Sequence, residues 1–145
     1  MNWVEHKVKR EAVLDSGAND LWQETIRALA DVINSYNSHY AAGKPVQLSK
    51  EKDRLSITRK LAVATAEPGS PRVEDVSLTI LFDPLHHEVN ATCANSLSIG
   101  QKIIRMEADE DGRVFLSHEG KELDEDKATE ILTKEFLFHP RFSVR

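Results

Sequence analysis

The sequence predicts an α+β fold: a two-layer sandwich in which N-terminal helices and one C-terminal helix pack on one face of a five- or six-stranded antiparallel sheet. Three observations predict it. Apolar residues recur at helical spacing toward both ends of the chain and at alternate positions through its middle. The strands are grouped rather than interleaved with helices, which separates α+β from a parallel alternating fold. The turns between them are short, and short turns join antiparallel neighbours.

The first long helix is expected over residues 18–41. Trp22, Ile26, Leu29, Ile33, Tyr36 and Tyr40 advance in steps of four and three, which is one stripe on a helix. Asp20, Glu24, Arg27, Asp31 and Asn34 fall off the stripe, toward water. Ser16 or Asn19 supplies a capping oxygen at its start, and Gly43 with Pro45 ends it. Residues 3–14 read as a separate short helix anchored by Trp3 and Val4, with Gly17 dividing the two.

The period then changes to two. Val46 and Leu48 alternate with polar neighbours, and "KEKDR" at 50–54 is a charged turn. Leu55, Ile57, Leu61 and Val63 share one parity, and "EPGSP" at 67–71 is a loop of breakers. Val76, Leu78, Ile80 and Phe82 alternate with Ser77, Thr79 and Leu81, and Val89, Ala91 and Cys93 share a face on the next strand. Residues 101–108 and 113–118 form a hairpin through "DEDG". The opposite parity carries Ser56, Thr58, Lys60, Ser77, Thr79, Asn90, Thr92 and Arg105, so one sheet face is expected to stay open to water.

The last helix starts at Asp124, a capping residue, with Leu123 and Ala128 at staple positions and Glu125 and Asp126 in the first turn. Ala128, Ile131, Leu132 and Phe136 form its buried stripe, and Pro140 blocks extension. Phe136, Phe138 and Phe142 crowd into the final ten residues. Disordered tails are poor in aromatics, so this segment is expected to make a structural or dimer contact.

A chain of 145 residues is one domain, 1–145, large enough for a real core. Its 40% apolar and 30% charged residues are ordinary for a soluble protein. No run approaches the roughly 18 apolar residues that span a bilayer, and "MNWVEHKVKREAV" lacks the apolar stretch of a secretory signal. With a single cysteine, which suits a reducing compartment, the expected location is cytoplasmic, with no membrane partner. The net charge of −5 is uneven. Residues 1–60 carry ten Lys/Arg against eight Asp/Glu, whereas 107–126 carry nine acids against two bases. The basic run from Lys44 to Lys60 has no interleaved aromatics to stack bases, which argues against nucleic acid.

Two stretches imitate chemical sites. "FDPLHHEVNATC", residues 82–93, holds His86, His87, Glu88 and the lone Cys93. Neighbouring side chains on a strand point to opposite faces, so the two histidines do not converge on one ion. Asp83-Pro84 opens a turn, and Cys93 shares parity with Val89 and Ala91, which points it inward as an unreactive small hydrophobe. "EADEDGRV" places Glu107, Asp109 and Asp111 before Gly112 as a calcium loop would, but His118 stands where that loop needs glutamate. A hairpin explains the stretch better. No cofactor motif and no metal site are read from the chain.

Two polar residues break the alternation. Arg59 has the inward parity of Leu55 and Ile57, and His118 that of Val114 and Leu116. Either a strand end or bulge resets the parity, or the two mark a polar pocket between sheet and helices. The helix–sheet–helix order is similar in outline to frataxin-like and secretion-chaperone-like folds, an architectural likeness that transfers no function. The expected function is therefore a non-enzymatic protein-binding module, its partner another protein or a second copy of the chain in a homodimer. The alternative is a small-molecule-binding protein or enzyme using a pocket near Arg59 and His118.

Overall fold

The structure, a computed structural model, describes residues 2–40, 46–63, 72–93 and 97–140. It has the expected two layers. Helix α1 (Trp3–Tyr40) and helix α2 (Glu125–Leu137) pack on one face of an antiparallel sheet. The strands are β1 (Gln47–Lys50), β2 (Arg54–Val63), β3 (Arg72–Asp83), β4 (Glu88–Cys93), β5 (Lys102–Ala108), β6 (Val114–His118) and β7 (Lys121–Leu123). Each lies beside its neighbour in sequence, so the sheet is a meander in the order β1 to β7. No helix among the described residues is long and apolar enough to cross a membrane.

Two details differ from expectation. The two N-terminal helices are one, of 38 residues, which at 1.5 Å per residue is about 57 Å long. Asn2 caps it, its Oδ1 accepting from Glu5 N at 3.0 Å, whereas Ser16 Oγ donates back to Val13 O inside the helix. Gly17 does not divide it. A Cβ there would stand 2.7 Å from Val114 Cγ2, so glycine lets the helix pass close over β6. Among the described residues the sheet has seven strands rather than five or six. The seventh is only Lys121–Leu123, with one apolar residue and no alternation to count. It is turned by Glu119 (φ 53°) and Gly120 (φ 80°), the pair of positive φ values of a type I′ hairpin.

The core lies between the layers. Trp22, Leu29 and Ile33 of α1 and Leu132 and Phe136 of α2 meet Leu55, Ile57, Val76, Leu78, Ile80, Val89 and Ile104 of the sheet. Trp22 stacks on Phe82 at 5.6 Å, and its Nε1 donates to Lys52 O at 2.9 Å, tying the β1–β2 turn to α1. Asn37 clamps the residue before β1, accepting from Val46 N at 2.8 Å and donating to Val46 O at 3.0 Å. Asp124 caps α2 as expected, accepting from Lys127 N at 2.7 Å. Phe138 lies edge-on to Tyr36 and Tyr40, and His139 Nε2 reaches Leu97 O at 2.9 Å. The expected helix stop at Gly43 and Pro45, the 67–71 loop, the side chains of Leu61 and Val63, and Phe142 lie outside the described residues.

The uncovered face is polar, as the alternation requires. Register aligns Ser49, Ser56, Thr79 and Thr92 in one row across β1–β4, and Thr58 Oγ1 lies 2.9 Å from Ser77 Oγ.

Candidate functional site

The stretch 82–93 is a hairpin turn. Asp83 Oδ1 accepts from Leu85 N at 3.0 Å and His86 N at 3.1 Å, the local turn chemistry of aspartate. His86 Nδ1 lies 2.7 Å from Asp83 Oδ2, whereas His87 Nε2 reaches across to Asp15 Oδ1 on α1 at 2.9 Å. The two rings therefore engage different carboxylates. The Asp83 hydrogen bond pushes the His86 pKa up, and His86 in turn lowers that of Asp83. Cys93 packs against the core but is half-buried rather than fully buried, and partial burial raises its thiol pKa. "DEDG" is the β5–β6 turn. Asp109 Oδ1 accepts from Asp111 N and Arg113 N, both at 3.0 Å, which with the Arg113 side chain holds its carboxyl below the ordinary range. Among the described residues no three His, Cys, Asp or Glu side chains gather in a geometry that could hold a metal ion.

Arg59 does point inward and is 5% exposed. Its Nη1 donates to Leu137 O, at the C-terminal end of α2, at 2.8 Å. Its guanidinium lies 5.3 Å from the centroid of the Tyr36 ring. A cation there satisfies a late carbonyl and complements the negative end of the helix dipole, and the ring face adds cation–π attraction.

His118 ends β6, half-buried. Its Nδ1 lies 3.1 Å from Ile103 O. A carbonyl only accepts, so Nδ1 carries the proton and, in the neutral ring, Nε2 is left as an acceptor. Three strands separate β2 from β6, which puts Arg59 and His118 about 19 Å apart across the sheet. The structure does not bring them together. His118 instead lines a cleft of about 380 Å³ at the β5–β6 end of the open face. A second cleft of about 380 Å³ lies between Val32 on α1 and Thr129, Thr133 and Leu137 on α2.

The open face has a second focus that sequence reasoning missed. Leu81, Asn90 and Ile103 stand directly opposite one another on β3, β4 and β5. Leu81 is 42% and Ile103 41% exposed, and between them Asn90 Oδ1 is buried with no hydrogen-bond partner among the described residues. The signal for it was the pair of aliphatic residues on the polar parity, visible only once three strands are placed in register. Comparison with protein-family models, curated proteins and solved structures finds no match.

Proposed function

We propose that the protein is a binding module that receives a segment of another protein on the open face of its sheet. The observation that carries this reading is the Leu81–Asn90–Ile103 row. On the helix-covered face Leu55, Ile80, Val89 and Ile104 are fully buried, but the open face keeps two aliphatic side chains in water beside a buried acceptor that, among the described residues, lacks a donor. Buried acceptors are normally paired, and a partner N–H between two apolar contacts would pair this one. The surrounding hydroxyl rows are neutral and compatible with a closely apposed chain.

The test is a photo-reactive residue at position 81, with one at Glu24 on the outer surface of α1 as control. The expected result is a discrete covalent adduct from position 81 alone, lost when Ile103→Lys is added. The adduct mass tells a second copy of this chain from a different partner. Equal labelling from both positions, or an adduct indifferent to Ile103→Lys, overturns the reading.

A further inference from the structure

The cleft beside His118 lies on the same face, where register sets Glu88 opposite Arg105 and Arg105 opposite Ser117. Acceptors dominate it. Glu88, Glu107 and Glu119 contribute carboxylates, and His118 Nε2 lies 3.7 Å from Glu119 Oε1. Among the described residues the one cationic donor in the lining is Arg105, whose Nε lies 3.9 Å from Glu88 Oε1. Three carboxylates against one guanidinium leave the cleft negative, and it sits within the acidic segment 107–126 and its neighbours.

Surface carboxylates alone do not make a site, and Ser117 supplies the further observation. It lines the cleft, shares the open face with Arg105, and is 3% exposed. Among the described residues no hydrogen bond engages its hydroxyl. Among the described residues the enclosed side-chain atoms without a hydrogen-bond partner are His6 Nδ1 and Asn90 Oδ1, so the Ser117 hydroxyl opens to the cleft, where a polar group brought from outside can pair it.

We propose that this cleft holds the cationic side chain, lysine or arginine, of a protein segment laid on the open face; the proposal rests on the binding-module reading above. An ammonium or guanidinium matches a lining made of acceptors, through charge-assisted hydrogen bonds. The aliphatic wall of Ile103 suits the methylene stem that such side chains lay along apolar surface. An organic cation is favoured over a metal ion because no three ligating side chains among the described residues converge.

The test is a nitrogen–proton correlation titration of the whole protein with acetyl-lysine methylamide and acetyl-arginine methylamide. Acetyl-norleucine and acetyl-glutamate methylamides are the controls. An isolated side chain should bind with a Kd on the order of 1–10 mM. The expected shifts saturate and centre on Ser117, His118, Glu119 and Glu88, with the cations only. Glu88→Gln with Glu107→Gln should weaken binding about tenfold, and Ser117→Ala severalfold. Both variants alter surface or small side chains, and unchanged spectra elsewhere confirm that they fold. Equal shifts from norleucine, shifts scattered over all acidic segments, or affinity unchanged in the double variant overturn the proposal. If the cations bind here but position 81 cross-links nothing, the binding-module reading fails while a cation site stands. If a partner cross-links at 81 with yield and affinity indifferent to the double variant, the cleft proposal alone fails.

Discussion

Glycine in a helix interior costs roughly 0.5–1 kcal/mol relative to alanine, so Gly17→Ala ought to stabilise an isolated α1. In the folded protein the added methyl would meet Val114 Cγ2 at 2.7 Å, and overpacking typically costs about 1–3 kcal/mol. The steric effect is the larger. Gly17→Ala should therefore lower stability by about 1 kcal/mol in urea unfolding, and Val114→Ala in the same chain should recover most of that difference. A stabilised single variant would show that the helix has room to shift. A second residue-scale prediction concerns the β3–β4 turn. The Asp83 carboxylate raises the His86 pKa above its ordinary 6.5, so their pairing supports the turn fully below that value and is lost as pH rises through the folded pKa. Asp83, held below its ordinary 3.8, contributes above 3.8 and is lost as pH falls through its own folded pKa. The pair is therefore intact between the two ordinary values. A proton-NMR titration should place His86 above 6.5, and Asp83→Asn should bring it back. A titration unaffected by Asp83→Asn would mean that the pair does not persist in solution.

Helix α1 is held unevenly along its length. Its first buried residue is Ala18, and Trp22 to Ile33 lie under the core. The turns before it meet the sheet end through pairs such as Arg10–Glu110 at 3.4 Å and Asp15–His87 at 2.9 Å, and such exposed pairs contribute about 0–1 kcal/mol each. Amides of residues 3–13 should exchange with solvent much faster than those of 22–33. The two tryptophans report the same contrast. Trp3 is 76% exposed and Trp22 fully buried. Acrylamide should quench Trp3 and spare Trp22, and Trp22→Phe should cost on the order of 2–3 kcal/mol while Trp3→Phe stays within about 0.5 kcal/mol. Uniform exchange along α1 would contradict this. The same element shows what was legible in the sequence. The stripe from Trp22 to Tyr40 and the cap at Asp124 are local signals, and both correspond to helices. The glycine at 17 answers to a close approach by Val114, nearly a hundred residues away, and β7 rests on a turn that pairs three residues. His118 stood out by parity, but Ser117 sits on the polar parity and is nonetheless buried. The cleft they share needs the register of β4, β5 and β6 together, which no single segment states.

The meander turns sequence order into spatial order. Because β1 to β7 lie side by side in chain order, the basic run ending at Lys60 sits toward one edge of the sheet and the acidic 107–126 segment at the other. The edge strands are short, four and three residues, a feature that discourages edge-to-edge pairing. Among the described residues the open face is the sheet surface left available, and the two sides of the sheet must respond oppositely to charge. Ile80 and Ile104 are fully buried beneath the helices, whereas Leu81 and Ile103, one residue along each strand, face water. A lysine in the core carries an uncompensated charge, and the loss should reach about 4–5 kcal/mol, a large share of the roughly 5–15 kcal/mol that holds a domain folded. On the open face the same change should stay within about 0.5 kcal/mol. Ile80→Lys and Ile104→Lys should thus unfold or greatly destabilise the protein in denaturant titrations. Leu81→Lys and Ile103→Lys should leave the midpoint nearly unchanged, and Ile103→Lys should abolish the cross-link from position 81. Exposed aliphatic residues that the fold does not need but partner capture does are what a binding surface requires. Comparable destabilisation on both parities would mean that the sheet is covered on both faces in solution, and the one-sided architecture on which the functional proposal stands would be wrong.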